Sequence, residues 1–326
     1  MAPVANRLAV IGAGAWGTAL AALLAQNGHE LRLWARREAL AVRLEAERVN
    51  VDYLPGLRLP ENVLVSADGE AVMAGAEAAF MVVPSKGLRG VLAALPSAPA
   101  YVSCAKGLEP GTMKRLSEVI ADYHPRAALA ALSGPNLAGE IAAGLPAAST
   151  VASPDAALAA RVQGWLTRPL VRVYSSADLA GVEVAGAVKN VIALAAGMGD
   201  GLGLGDNAKA SIITRGLAEM VRLGVRLGGQ RQTFYGLAGL GDLIATCHSP
   251  RSRNRGAGER VVTGGAVESG KTVTEGVRTV EALMDYAARE RLELPIARAV
   301  YEVIFEGKPA QAALRDLMSR DMKAEW

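Results

Sequence analysis

The chain has 326 residues and a formal net charge of +3, with 51% hydrophobic and 21% charged residues. That length suits two domains, and the composition is globular, with enough apolar mass for a large core built mainly from Ala, Val and Leu. The charge is too small for a general nucleic-acid surface, and its basic residues gather locally, as at Arg251, Arg253 and Arg255, which suits a small anionic ligand.

In chain order, an apolar run from Leu8 to Ile11 predicts a first strand. It feeds Gly12-Ala13-Gly14-Ala15-Trp16-Gly17, a G-x-G-x-x-G turn, and a helical pattern follows from Thr18 to Ala25. Asn27-Gly28 reads as the helix stop, and Glu30 to Ala35 as a second strand. This is one βαβ unit of a dinucleotide-binding fold. Gly12 permits the tight turn, Gly14 lets the backbone approach a pyrophosphate, and Gly17 lets the helix lie close on the sheet. The helix start offers unpaired N–H groups to the phosphates. A Gly-rich turn that only packs is the plainer alternative.

The second strand ends Trp34-Ala35-Arg36-Arg37. Many NAD sites carry an acid here for the ribose 2′-OH. Arg36 and Arg37 suit a 2′-phosphate instead, so NADPH is the preferred coenzyme, with NADH also usable. The alternative is a solvated charge pair opening a helix.

Further short strands are predicted at 63–66, 79–83, 101–105, 128–132 and 171–174, with helical patterns between several of them. This alternation predicts a parallel sheet with helices on both faces. Asn50 to Pro60 reads as a loop of β-rich pattern with no evident role. The strands at 101–105 and 128–132 deliver Lys106 and Ser133-Gly134-Pro135-Asn136 to the ligand-binding edge of the sheet. A short helical stretch, 137–143, follows. Ser153-Pro154-Asp155 reads as a helix start, with Pro154 in its first turn.

Beyond Ser176 the pattern turns almost wholly helical: 179–198, 208–227, 274–289, 296–306 and 310–319. The predicted architecture is an α/β N-terminal domain of Rossmann-type, doubly wound, over residues 1–176. An all-α C-terminal domain over 177–326 follows, carrying substrate and catalytic groups. Residues 197–206 read as a Gly-rich turn, and 239–255 as a long irregular loop of the kind that is usually functional.

Lys189 falls inside a helical pattern whose same-face neighbours, Ala185, Gly186, Ile192 and Ala193, are small or apolar. Such a lysine snorkels, pairs with a carboxylate, or faces a ligand. Apolar surroundings favour the neutral amine, which suits a proton acceptor. A packed lysine paired with an acid such as Asp242 explains the pattern equally well. Asp242 follows a Gly-rich run. Ser252-Arg253-Asn254 offers a hydroxyl, a guanidinium fork and an amide to a phosphate. On its own it reads equally as an arginine-rich surface loop.

Cys104 and Cys247 make no disulfide framework, and with three histidines they form no metal-ligand pattern, so no metal is expected. Leu8 to Ile11 already belongs to the fold, so no signal peptide is expected. No charge-free apolar run is long enough to span a membrane, and membrane insertion is not expected.

Seven stretches, in order, resemble the bacterial NAD(P)-dependent glycerol-3-phosphate dehydrogenase family: Gly12 to Gly17, Lys106-Gly107-Leu108-Glu109, Ser133-Gly134-Pro135, Gly186 to Asn190, Gly239 to Leu243, Ser252-Arg253-Asn254, and Val273 to Gly276. The resemblance covers nearly the whole chain. It implies interconversion of dihydroxyacetone phosphate and sn-glycerol 3-phosphate, a product used in phospholipid synthesis. The lone cysteines suit a reducing compartment, so a cytoplasmic enzyme is expected, and the broad apolar faces of the helical domain suit a homodimer.

The resemblance makes Lys189 the proton acceptor, with Lys106 and Asp242 assisting. It places Lys106, Gly134, Asn136, Lys189, Asp242, Ser252, Arg253 and Asn254 around the phosphorylated three-carbon substrate. It sets Trp16, Arg36, Lys106, Ala138, Arg253, Val273 and Glu275 against the coenzyme, beside Gly12, Gly14, Ala15, Gly17 and Arg37. Two positions depart from the family pattern: Ala15 stands where Ser is common, and Asn136 where Ser or Thr is usual. The nearest enzymatic rival is a ketopantoate or β-hydroxyacid reductase, whose substrates carry a carboxylate. The non-enzymatic rival is an NADPH-binding regulator, which needs neither the lysine nor a second-domain anion site.

Overall fold

The computed structural model describes residues 5–267, 274–322 and 324. Its ten strands are β1 (Arg7–Ile11), β2 (Glu30–Trp34), β3 (Val49–Asn50), β4 (Leu54–Arg58), β5 (Val63–Ser66), β6 (Ala78–Met81), β7 (Ala100–Ser103), β8 (Ala128–Ser133), β9 (Ala147–Ala152) and β10 (Val171–Ser176). Eight form one sheet in the order β10-β9-β8-β7-β6-β1-β2-β5. From β8 to β5 the strands are parallel, with the order reversing at β1, which is the doubly wound arrangement of a Rossmann-type fold.

Alternation along β1 sorts its side chains onto two faces. Leu8 and Val10 pack with helices Ala15–Gln26 and Ala156–Leu166. Ala9 and Ile11 pack with helices Leu88–Ala94 and Leu116–Tyr123. Helix Ala15–Gln26 is buried from Gly17 to Ala25, so it needs apolar residues all round rather than a stripe.

The sheet corrects the all-parallel expectation. β9 runs antiparallel to β8, and β10 pairs parallel with β9, so these two strands run against the other six. β9 is built from small residues, Ala-Ala-Ser-Thr-Val-Ala, and is not among the strands expected from the sequence. The 50–60 stretch is not a simple loop: β3 and β4 pair as a separate antiparallel hairpin. Pro154 precedes the helix cap rather than entering the first turn. Asp155 is the N-cap, accepting from the N–H groups of Ala157 and Leu158, while Ser153 Oγ accepts from Asp155 N–H.

The chain divides into two compact units. One comprises residues 1–106 and 114–183, the other 107–113 and 184–326. The division falls inside helix Leu179–Gly201, between Glu183 and Val184, whereas the change of sequence character falls near Ser176. Gly107–Met113 belongs with the second unit, where Leu108 and Met113 join the core.

The second unit is helical: Gly205–Arg226, Asp242–His248, Arg253–Val262, Glu275–Glu290, Pro295–Phe305 and Ala310–Met318 surround the continuation of Leu179–Gly201. That last helix is long and apolar enough to cross a membrane by length and composition, and it is buried as the unit's core. The expected irregular loop at 239–255 is instead a π turn at Leu237–Gly241 leading into one helix, then the start of another. The expected turn at 197–206 is shorter, because the two flanking helices take up Gly197–Gly201 and Gly205–Asp206.

Candidate active site

The three glycines of the first turn have three different reasons to be glycine. A Cβ at Gly17 would lie 1.8 Å from the Gly12 carbonyl oxygen. One at Gly12 (φ +118°) would lie 2.6 Å from the Val82 carbonyl oxygen. The fold itself therefore excludes side chains there. A Cβ at Gly14 would meet no protein atom within 4 Å. The space over Gly14 is open, as close backbone approach of a ligand requires. Gly14 is also the N-cap of helix Ala15–Gln26 and offers no side-chain acceptor, which leaves the helix N–H groups available. Trp16 Nε1 is buried without a hydrogen-bond partner. An open glycine, an uncapped helix start and an orphaned donor fit a dinucleotide pyrophosphate.

Arg36 and Arg37 follow β2 and are exposed. Arg37 donates to the Tyr53 hydroxyl (3.2 Å) and lies 3.7 Å from the Asp52 carboxylate.

At the ends of β7 and β8, Lys106 Nζ donates to the Gly134 carbonyl (2.9 Å) and to Asn136 Oδ1 (2.6 Å). An ammonium group only donates, so it fixes the Asn136 amide with Oδ1 toward Lys106. Asn136 Nδ2 is then a buried donor without a partner. Gly134 (φ +139°) passes within 2.9 Å, measured from a hypothetical Cβ, of Ser149 Cα on β9. Ala138 begins the short helix Ala138–Ala142. Cys104, beside this cluster, is buried, and burial pushes its thiol far up, so it stays protonated.

In the second unit Lys189 is 6% exposed. Its Nζ donates to Asp242 Oδ1 (2.9 Å) and Thr246 Oγ1 (2.7 Å). The packing of Lys189 and its pairing with Asp242 are as the packed-lysine alternative expects. Thr246 was not singled out from sequence. It stands one helical turn after Asp242 on helix Asp242–His248, and that i,i+4 spacing is the signal that would have found it. Cys247, the next residue, is fully buried, and burial pushes its thiol up to about 12.

Two other family-like stretches meet next to the lysine. Asn254 Nδ2 donates to Asn190 Oδ1 (2.9 Å), and Asn254 Oδ1 accepts from the Gly276 N–H (3.0 Å). Glycines allow this approach. A Cβ at Gly258 would lie 2.1 Å from the Leu194 carbonyl oxygen, and one at Gly197 would lie 1.9 Å from that of Arg255. Helix Arg253–Val262 therefore lies backbone to backbone on the helix carrying Lys189. Ser252 is its N-cap, accepting from Arg255 N–H (3.2 Å), while Arg253 is exposed at the first position. Arg255 is held by Asp200 (2.6 Å), which also pairs with Lys209 (2.6 Å). Glu275 opens helix Glu275–Glu290. Val273 lies outside the described residues.

A doubly wound sheet with an open glycine turn, together with a helical unit burying a lysine–carboxylate pair, defines a nicotinamide-dependent oxidoreductase. The family model for the NAD-dependent glycerol-3-phosphate dehydrogenase N-terminus matches residues 7–159, and that for its C-terminus matches residues 178–315. The chain is 53% identical over 323 residues to glycerol-3-phosphate dehydrogenase [NAD(P)+] of Thermus thermophilus, covering 98% of this chain and 100% of that one. It is also 53% identical to the protein of the same name from Deinococcus radiodurans, covering 98% and 97%. A crystal structure of glycerol-3-phosphate dehydrogenase from Coxiella burnetii superposes with a TM-score of 0.91 at 36% identity, covering 98% and 100%. A ketopantoate reductase from Ralstonia eutropha shares the fold at a TM-score of 0.63 and 17% identity. The chain belongs to the NAD-dependent glycerol-3-phosphate dehydrogenase family.

Proposed function

We propose that the protein reduces dihydroxyacetone phosphate to sn-glycerol 3-phosphate, and runs the reverse reaction, with NADPH as its preferred coenzyme and NADH as a second. The observation that carries this is the buried amine of Lys189, oriented by Asp242 and Thr246. The coenzyme, when bound, supplies or takes the hydride at C2. In reduction the C2 oxygen gains negative charge, and the Lys189 ammonium gives it a proton; in oxidation the amine takes that proton back. Asp242 and Thr246 hold Nζ in one place, so orientation is fixed before the substrate arrives.

In the first unit, Lys106 supplies a cation, Asn136 Nδ2 a donor that its own surroundings leave unused and Gly134 a closely packed backbone, and these three serve the substrate. In the second unit, the start of helix Arg253–Val262, the Arg253 guanidinium and the backbone N–H of Asn254 take the phosphate, with Ser252 capping that helix start. Gly12, Gly14, Ala15, Trp16 and Gly17 hold the pyrophosphate. Arg36 and Arg37 take the 2′-phosphate, and Ala138, Arg253 and Glu275 complete the coenzyme contacts. With this activity we place the enzyme in the cytoplasm as a homodimer, feeding phospholipid synthesis.

The test is to follow NADPH absorbance with dihydroxyacetone phosphate beside ketopantoate, then to repeat with NADH. Oxidation with dihydroxyacetone phosphate alone supports the reading. Oxidation with ketopantoate alone assigns the carboxylate substrate instead, and oxidation with neither leaves a coenzyme-binding protein without this activity.

A further inference from the structure

The turn end of the β3–β4 hairpin touches the coenzyme turn through Asn50 and Arg37 through Asp52 and Tyr53. Asn50 is 0% exposed, and its Nδ2 donates to the Ala13 carbonyl (3.0 Å) and to Thr18 Oγ1 (2.8 Å). Thr18 Oγ1 in turn donates to the Gly14 carbonyl (2.8 Å). The amide orientation follows from the Ala13 oxygen, which can only accept. Two successive carbonyls of the glycine turn are thus tied to one side chain, directly and through a hydroxyl. Fixing those carbonyls fixes the peptide planes that present the N–H groups of the turn.

Two residues further on, Asp52 pairs with Arg43 (2.7 Å) and lies 3.7 Å from Arg37. Tyr53 accepts from Arg37, whose guanidinium also lies 5.9 Å from the centre of the Tyr53 ring. The end of β2, Trp34, and Ala35 after it carry no acid, and the hairpin brings the Asp52 carboxylate to Arg37 instead.

We propose that this hairpin sets both the affinity and the selectivity of the dinucleotide site. Asn50 acts as a positioning residue for the turn that NADPH and NADH share. Asp52 sets the preference between them. Its charge competes with a 2′-phosphate for Arg37, and it offers an acceptor to the 2′-OH that NADH presents instead. The inference rests on the reading that Arg37 serves the 2′ position, and it explains how one site accepts either coenzyme.

The test is calorimetric titration of the full chain with NADPH and with NADH, without substrate, alongside thermal melts of the free protein. Asn50→Ala is expected to weaken both coenzymes by a common factor of about 10, the value of one or two hydrogen bonds. Thr18→Val repeats the test at nearly constant shape, should Asn50→Ala fail to fold, and Thr18→Ser restores affinity. Asp52→Asn is expected to raise the ratio of NADPH to NADH affinity about fivefold, as expected for removing one partly exposed charge near a phosphate.

Unchanged affinities in folded Asn50→Ala or Thr18→Val overturn the positioning role. An unchanged or lowered ratio in Asp52→Asn overturns the selectivity role. Arg37→Ala separates the two levels. If it leaves the NADPH to NADH ratio intact, the placement of Arg37 at the 2′ position fails; if it lowers the ratio while Asp52→Asn does nothing, only the role of Asp52 fails.

Discussion

Asn254 and Asn190 are joined side chain to side chain, Nδ2 to Oδ1 at 2.9 Å, on two helices far apart in sequence. Asn190 is the residue after Lys189, and the other end of the Asn254 amide holds the Gly276 N–H. One buried amide therefore sets the spacing of the lysine helix, the Ser252-Arg253-Asn254 cap and the start of helix Glu275–Glu290. Asn254→Ala removes the bond to Asn190 Oδ1 and the acceptor of the buried Gly276 N–H. We expect a loss of about 2–4 kcal/mol in denaturant unfolding and a raised KM for the phosphorylated substrate. Unchanged stability would show that the amide links nothing.

The glycine turn predicts two distinct phenotypes from the same substitution. Gly14→Ala has room in the protein, so its stability is expected within about 1 kcal/mol of the parent while coenzyme affinity falls. Gly17→Ala drives a methyl into the Gly12 carbonyl and is expected to unfold the chain or lower its stability by several kcal/mol, about 3 or more. Thermal melts with and without NADPH distinguish the two. Equal melting losses in both variants would contradict the assignment.

Gly258→Ala pushes a methyl against the backbone of Leu194 and Met198, where no flexible side chain can yield. The helices must part, carrying Ser252 and Arg253 away from the lysine helix. Destabilisation of at least about 2 kcal/mol is expected, with a KM for dihydroxyacetone phosphate raised more than that for coenzyme. An unaltered substrate KM in a folded variant would argue against that helix start as the phosphate site.

Glu219 predicts a pH dependence away from the site. Its carboxylate accepts from the Ile296 (2.7 Å) and Ala297 (3.2 Å) N–H groups at the start of helix Pro295–Phe305. Burial outweighs those bonds and pushes its pKa up to about 7. A carboxyl raised on folding stabilises fully below its unfolded value near 4.5, and that contribution is lost as pH rises through about 7. Relative to the parent, Glu219→Gln is expected to gain stability between pH 5 and pH 8, by up to roughly 3 kcal/mol. A constant difference across that range would contradict the shift. Glu183, buried under Ser117 and pushed up to about 7, adds to the parent's loss in the same direction.

The coenzyme turn was legible because its spacing is strict: Gly12 and Gly17 are fixed by contacts within the βαβ unit. Lys189 was legible because a charge on a small, apolar helical face demands an explanation. Helices Asp242–His248 and Arg253–Val262 were not legible, since Gly, Ser, Pro and Arg dominate 249–256 and read as loop. They are held by tertiary features that local propensity does not carry: the Ser252 cap and the close approach of Gly258 to Leu194. The reversed direction of β9 was hidden for a related reason, because pairing partners are chosen by packing and leave no local mark. Asn50 was passed over because an Asn among turn residues looks ordinary until its burial is known.

Lys189 is the residue proposed to move the proton. Lys189→Ala removes the ammonium beside the buried Asp242 carboxylate, so Lys189→Ala combined with Asp242→Asn is measured in parallel to separate folding from chemistry. The decisive measurement is the rate of NADPH oxidation with saturating dihydroxyacetone phosphate, taken beside NADPH affinity in the same preparations. The account predicts that coenzyme binding survives and that turnover falls by about 10²–10⁴ in both variants. Turnover within about tenfold of the parent, in protein that is folded and binds NADPH, would contradict it.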